Sequence, residues 1–384
     1  LRQMRQVAPD VPVSRARYSA FTKAEIDHAF ANLVDLDQDL ADAGESRQYI
    51  DLIWGAVLTR YLTMARFGGF GNVRSAGRVQ TPTLALVVEK ERERQAFVPE
   101  DYWVLSGMLA PAGTADEDAR FKATHTTARF KDQAAAQAAW SHVRDARTAT
   151  VTAVEKRSRT TRPPAPFNTT SLQTAAASEG ISPARTMRLA ESLYMDGLIS
   201  YPRVDNTVYP KSLDLRGCVR TLSQVPQYRA ACRELLDAGP LHATRGKQET
   251  TDHPPIYPTA AADPGKLEGA AWKLYNLIAR RFLATLSQAS VSEGTKVAFD
   301  VSGEPFSASG TVLVKPGFRA IYPYGLRKDE QLPPLEVGDS CDVVSMALDA
   351  KQTEPPARYS QGRLIQEMEK RNLGTKSTRA SIIQ

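Results

Sequence analysis

The sequence predicts a multidomain protein of mixed α and β structure, and three observations carry that reading. The chain has 384 residues, 42% hydrophobic and 24% charged. These proportions exclude wholesale disorder, and at about 100–200 residues per domain the length allows roughly two to four domains. Helical periodicity covers 22–64 and 79–95, and two blocks of strand texture then flank a helix-rich stretch over 163–262.

The helices come first. Thr22-Lys23-Ala24-Glu25 has the form of a capping box and leads into Ile26, Ala29, Phe30 and Leu33 at helical spacing. A second helix, over 43–64, sets Ile50, Ile53, Trp54, Val57, Leu58 and Leu62 on one face. The glycine loop Gly68-Gly69-Phe70-Gly71 is not followed by the GK[ST] of a phosphate-binding loop. A third helix, over 79–95, ends in the charged tail KERER.

From 98 the texture changes. YWVLSGML (102–109), ARFKATHTTARF (119–130) and TATVTAV (148–154) read as strands. So do TKVAFDVS (295–302), FSASGTVLVK (306–315) and CDVVSMAL (341–348). Two β blocks that pair across an inserted module make an arch. The expected division is a helical segment over 1–97 with 330–384, a β arch over 98–162 with 263–329, and an inserted domain over 163–262. Pro163-Pro164-Ala165-Pro166 opens the insert, and further proline-rich stretches at 254–258, 333–334 and 355–356 fit hinges or boundaries.

Within the insert, Thr170-Ser171-Leu172-Gln173 reads as a capping box and Gly180 as a helix stop. Ser182-Pro183 gives an N-cap followed by proline at the first helical position. Met187, Ala190, Leu193 and Tyr194 form the apolar face of this second helix, Arg185 and Arg188 point elsewhere, and Gly197 ends it. Helix, glycine turn, helix and the short strand LISYPR together have a helix-turn-helix or winged-helix pattern.

Formal net charge is +6. Residues 52–88 hold no Asp or Glu but carry Arg60, Arg66, Arg74 and Arg78; the first 51 residues are net acidic and the last 34 net basic. Arginines without acids, broken by Gly and Ser, favour phosphate contact over a merely solvated surface. Cys218, Cys232 and Cys341 form no CxxC and no disulfide framework, so the chain reads as intracellular and reduced with no zinc site of its own. No apolar run reaches the length of a membrane span, and LRQMRQVAPD has no signal-peptide core. The chain starts without an initiator Met and stops at Ile383-Gln384 inside a helical pattern, which reads as a fragment of a longer protein.

The most informative string is Gly197-Leu198-Ile199-Ser200-Tyr201-Pro202-Arg203-Val204-Asp205-Asn206. In extended chain Arg203 projects from the same side as Tyr201. A phenol with a pKa of about 10 is a poor nucleophile at neutral pH unless cations stabilise the phenolate. Arginine also offers two parallel donors to a phosphate. Tyr201 with Arg203 is a workable pair for attack on a phosphodiester; by spacing alone, a packed tyrosine beside a surface arginine fits as well.

Five segments together resemble the type IA DNA topoisomerases, in wording similar to the archaeal topoisomerase I and III branch. They are Ser75-Ala76-Gly77-Arg78-Val79-Gln80-Thr81-Pro82, the Pro163–Phe167 run, Ile199–Thr207, Asp252-His253-Pro254-Pro255-Ile256-Tyr257-Pro258-Thr259, and Tyr359–Lys370 with Leu373–Ala380. Each is modest alone; in the family's order along nearly the whole chain they are specific.

The resemblance implies a toroidal core with a helical DNA-groove domain, a β arch and an inserted winged-helix-like catalytic domain. It implies that Tyr201 takes the 5′ phosphate of a cut single strand, that Arg203 binds the scissile phosphate and that His253 lies near it. Ser75, Arg78, Gln80 and Thr81 match one element of the single-strand groove, and Lys376, Ser377 and Thr378 a second. Arg47 and Asp51 match helix positions near upstream bases, and Arg185 and Asp205 are further expected DNA contacts. The family's acidic D-x-D-x-E cluster is not found in this sequence. Asp35-Leu36-Asp37-Gln38-Asp39 mimics it but comes after the metal-binding domain in the family's order, so it reads as a solvated turn. The implied Mg²⁺ would therefore be held by residues outside this chain, which has no metal ligands of its own.

The same resemblance implies ATP-independent relaxation of negatively supercoiled DNA through a phosphotyrosine intermediate. The implied protein is a cytoplasmic, nucleoid-associated monomer that takes single-stranded DNA in preference to duplex. Two alternatives stay open: a single-strand DNA-binding module without cleavage, and the topoisomerase half of a reverse gyrase.

Overall fold

A computed structural model describes residues 6–18, 23–67, 75–114, 116–250, 253–267, 269–325 and 331–384. The Thr22–Glu25 box, the glycine loop, Arg74 and Asp252 lie wholly or partly outside the described residues. The chain opens with helices α1 (Lys23–Ala31), α2 (Gln38–Phe67) and α3 (Gln80–Gln95). Strands β1 (Asp101–Pro111) and β2 (Phe121–His125), helix α4 (Gln133–Val143) and strand β3 (Thr148–Thr161) come after them. Next are α5 (Thr169–Ser178), α6 (Pro183–Met195), α7 (Leu215–Leu222), α8 (Arg229–Asp237) and α9 (Gly269–Thr285). The last elements are β4 (Ser290–Val301), β5 (Glu304–Lys315), α10 (Phe318–Ile321), β6 (Ser340–Gln352), α11 (Gln361–Lys370) and α12 (Arg379–Ile382).

Contacts divide the chain into two compact units. One holds Leu1–Glu91, Pro164–Thr285 and Arg358–Gln384; the other holds Arg92–Pro163 and Leu286–Ala357. Helix α9 thus belongs with the helical unit, and β6 with the strands, whereas the expected boundaries grouped 263–285 with the arch and 340–352 with the helical segment.

The second unit is a closed antiparallel barrel in the order β1-β2-β5-β4-β3-β6. Period-two alternation dictates its inside: in β2, Phe121, Ala123 and His125 are buried while Lys122 is exposed. Leu105, Leu109, Val151, Val297, Phe299 and Phe306 complete the core, and α4 adds Ala136, Ala139 and Val143 to it. Strands β4 and β5 are joined by a two-residue turn with Ser302 at φ 53° and Gly303 at φ 87°, the positive-φ pair of a type I′ hairpin. The single strand expected over 119–130 is shorter. A 3₁₀ turn at Glu117–Ala119 precedes it, and after it the Thr127 N–H donates to His125 Nδ1 at 3.0 Å, turning the chain away.

In the first unit, Asp37 Oδ1 accepts the Leu40 N–H at 2.9 Å and caps α2. That is the structural role of an aspartate in the acidic Asp35–Asp39 string. Along α2, Ile50, Ile53, Trp54 and Val57 are exposed; Leu58 and Leu62 are half-buried. Helix α5 begins two residues earlier than its expected box. Asn168 is the N-cap, its Oδ1 accepting the Ser171 N–H at 2.9 Å and its own N–H donating to Ser171 Oγ at 3.0 Å. Thr170 Oγ1 instead donates to Glu369 Oε1 of α11 at 2.7 Å. Helices α5 and α11 approach closely: a Cβ on Gly362 would lie 3.3 Å from Ala177 Cβ. Helix α3 packs on α11 through Leu86, Leu364 and Met368, with Val79, Leu373 and Ile382 around them.

Candidate active site

Helix α6 delivers the key string. Ser182 Oγ caps its start and Pro183 fills the first turn. At its end Gly197 takes φ 71°, the Gly197 N–H donates to Tyr194 O and the Leu198 N–H to Leu193 O, both at 2.9 Å. This is a Schellman termination, which needs a residue free to adopt the left-handed region. The chain then lies against 255–259. The Ser200 N–H donates to Tyr257 O at 2.9 Å and the Thr259 N–H to Leu198 O at 3.0 Å, while Ser200 Oγ donates to Pro255 O at 3.1 Å. The strand expected at LISYPR is reduced to an isolated bridge, Ile199 with Pro258, because Pro202 has no N–H to extend a ladder.

This zipper sets the His253 ring 4.8 Å from that of Tyr201, centroid to centroid. On its other flank Tyr201 meets Tyr194 of α6, edge-on at 5.4 Å. Pro202, Val204 and Asn206 are buried while Tyr201, Arg203 and Asp205 stay half-buried, so the alternation expected of extended chain holds through this segment. Thr169, fully buried at the start of α5, fixes it from behind. Its Oγ1 accepts the Val204 N–H at 2.8 Å and lies 2.8 Å from Pro202 O.

Arg203 is held on two sides. Its Nε donates to Glu191 Oε1 of α6 at 2.7 Å, its Nη2 binds the same oxygen, and its Nη1 donates to Ser377 O at 3.1 Å. Beside it Lys376 Nζ pairs with Asp205 Oδ2 at 3.3 Å. Thus Tyr201, Arg203, His253, Asp205, Lys376 and Ser377 are brought to one place. Thr378 shapes the loop: its Oγ1 accepts the Thr375 N–H at 2.9 Å. Gly374, at φ 66°, lets this loop press on Val79; a Cβ there would lie 3.2 Å from Val79 Cγ1.

Val79 leads to the second cluster. Arg78 forks onto Asp51 of α2, Nε to Oδ1 at 2.5 Å and Nη2 to Oδ2 at 3.0 Å, with Arg47 Nε 3.8 Å from Asp51 Oδ2. The Arg78 hydrogen bond holds the Asp51 carboxyl below its ordinary pKa, against the opposing effect of desolvation. Ser75 Oγ donates to Gln80 Oε1 at 3.0 Å, and Thr81 Oγ1 accepts the Gly77 N–H at 3.3 Å. Arg185 stands exposed near the start of α6, and among the described residues no hydrogen bond ties its side chain to either cluster.

Two tyrosines are poor alternatives as nucleophile. Tyr257 and Tyr275 are buried, and burial pushes each phenol up to about 12. Sequence reasoning missed three residues that position the site. Glu191 lies one helical turn before Tyr194, Asn206 donates to His253 O at 3.0 Å, and buried Arg379 donates to Leu373 O at 3.0 Å. The Asn206 and Arg379 positions lie inside the motifs; Glu191 carries no sequence signal. Among the described residues no group of three or more His, Cys, Asp or Glu side chains is placed to hold a metal ion.

The site therefore joins a half-buried phenol to an arginine fork, an imidazole ring and a lysine, on a chain with no described helix long and apolar enough to cross a membrane. Comparison with known proteins gives the chain its family. The family model described as DNA topoisomerase matches residues 35–384, and the chain belongs to the type IA DNA topoisomerases. It is 43% identical over 382 residues to DNA topoisomerase 1 of Archaeoglobus fulgidus, covering 99% of this chain and 55% of that protein. It is 34% identical over 369 residues to human DNA topoisomerase 3-beta-1, covering 94% and 42%. The solved full-length topoisomerase I from Thermotoga maritima superposes with a TM-score of 0.76 at 26% identity, over 99% of this chain and 62% of that one. The chain spans about half the length of the curated relatives it matches.

Proposed function

We propose that this chain carries the cleavage tyrosine and part of the single-strand groove of an enzyme that changes DNA topology. Tyr201 Oη attacks a backbone phosphorus of a single strand and loses its proton. The P–O3′ bond breaks, the 3′ oxygen gains a proton, and the 5′ side stays on the protein as a phosphotyrosine. Reversal reseals the strand after another has passed, so relaxation of negatively supercoiled DNA needs no ATP. Arg203 binds the nonbridging oxygens, a task suited to its paired donors. His253 sits against the nucleophile, and Lys376 adds positive charge. Arg78, Gln80, Thr81 and Ser75 hold the strand along the start of α3, with Arg47, Asp51 and Arg185 as further contacts.

The observation that carries this reading is Tyr201 flanked by His253 and Tyr194, with Arg203 two residues on. Mg²⁺, which the family resemblance implies, would be held outside this chain. The 163–262 segment is the expected moving gate, hinged at its proline-rich ends, in a ring that closes around DNA. The protein is expected to act as a monomer in the cytoplasm, at the nucleoid. The test is relaxation of a supercoiled plasmid by the full-length protein and its Tyr201→Phe form. The reading expects relaxation by the first and none by the second; relaxation by both would reject it.

A further inference from the structure

The phosphate-binding face of Arg203 is already in use. Glu191 Oε1 takes both its Nε and its Nη2, and the Ser377 carbonyl takes Nη1 at 3.1 Å. A carboxylate and a phosphate engage guanidinium through the same side-by-side donors. Glu191 and Tyr194 are three residues apart on α6 and so share a face. One end of that face holds the arginine and the other packs on the Tyr201 ring. The ion pair is partly open to solvent, with side-chain exposures of 29% for Arg203 and 41% for Glu191. An entering anion can therefore reach it without unfolding anything. The neighbouring cation is held likewise, Lys376 by Asp205 at 3.3 Å.

We infer that Glu191 is a gating residue: its carboxylate occupies the phosphate seat on Arg203 in the DNA-free protein and must yield that seat when a strand enters. The inference rests on the reading of Arg203 as a phosphate ligand. Glu191 holds the guanidinium and excludes adventitious anions, and every phosphate that binds must compete with it.

The test is equilibrium binding of a fluorescent oligothymidylate to this chain over a range of salt. The variants are Glu191→Gln, Glu191→Ala and Arg203→Ala, with the Glu191 changes repeated in the Arg203→Ala background. Loss of the competitor should tighten binding at least about fivefold, equivalent to about 1 kcal/mol at 1.4 kcal/mol per tenfold. In the Arg203→Ala background the Glu191 effect should vanish. Unchanged or weaker binding by Glu191→Gln and Glu191→Ala overturns the inference, as does tightening that survives in full without Arg203, which marks a general charge effect. Wild-type protein that ignores the oligonucleotide, with no loss on Arg203→Ala, rejects the phosphate reading itself and this inference with it. A wild type that binds through Arg203 but is indifferent to Glu191 rejects the inference alone.

Discussion

Replacing Thr169 by valine tests whether the Tyr201–Arg203 segment is held by its backbone. Valine matches threonine in shape, so no cavity forms, and the change is confined to one hydroxyl. That hydroxyl is fully buried, accepts the Val204 N–H at 2.8 Å and lies 2.8 Å from Pro202 O. Its loss strands a buried donor, which costs about 1–3 kcal/mol. Thr169→Ser keeps the hydroxyl and removes a methyl, costing about 0.5–1.5 kcal/mol by analogy with Ile→Val. Urea titration should place the midpoint of Thr169→Val lowest. At a slope of about 1–3 kcal/mol/M the fall from wild type is on the order of 1 M. Amide exchange should quicken at Val204 in the valine variant. A valine variant as stable as wild type, or a serine variant that loses more than the valine one, would refute the argument.

Three further outcomes are expected. Gly374→Ala should lower the melting temperature by the equivalent of more than about 1 kcal/mol, because Gly374 sits at φ 66° with Val79 Cγ1 at 3.2 Å from an added Cβ; calorimetry reads it. The second outcome concerns pH. The His142 hydrogen bond, and then the His125 one, hold the Glu304 carboxyl below its ordinary pKa. A depressed carboxylate pKa stabilises the fold above the unfolded value, near 4.3, and the gain disappears as pH falls through the lower folded value. Barrel stability should thus decline on acidification, and Glu304→Gln should flatten the profile. Third, burial pushes the Cys232 and Cys341 thiols up to about 11, so alkylation at pH 8 should be slow until denaturant is added. Rapid labelling of both in the native protein would contradict their placement.

Which elements were legible in the sequence depends on where their signals lie. Helix α6 could be read because Ser182, Pro183 and Gly197 mark its ends by local chemistry. The start of α5 was misplaced because Asn168 caps as well as threonine does. Helix α9 escaped notice: Leu274, Tyr275, Leu277, Ile278, Phe282 and Leu283 are buried around much of its circumference, which erases the amphipathic stripe. Alanine-rich α4 was also missed, lying between segments read as strands. At the site, Tyr201 and Arg203 were legible as a spaced pair, and His253 only through family resemblance. Glu191 was not, because an ion pair spanning a helix and the loop after it leaves no pattern in the chain. Strand texture found all six barrel strands approximately, yet their order requires the pairing of β2 with β5 and of β1 with β6, which no local signal records.

In the proposed reaction Tyr201 is the residue that takes the cut strand. The most direct test is to incubate the full-length protein with a 5′- or 3′-labelled single strand, trap with denaturant, digest, and map the attached nucleotide by peptide mass. The account predicts a 5′-phosphotyrosine on the peptide containing Tyr201, absent in Tyr201→Phe and much reduced in Arg203→Lys, which keeps the charge but loses the fork. An adduct on another tyrosine, or one that survives Tyr201→Phe, would contradict it.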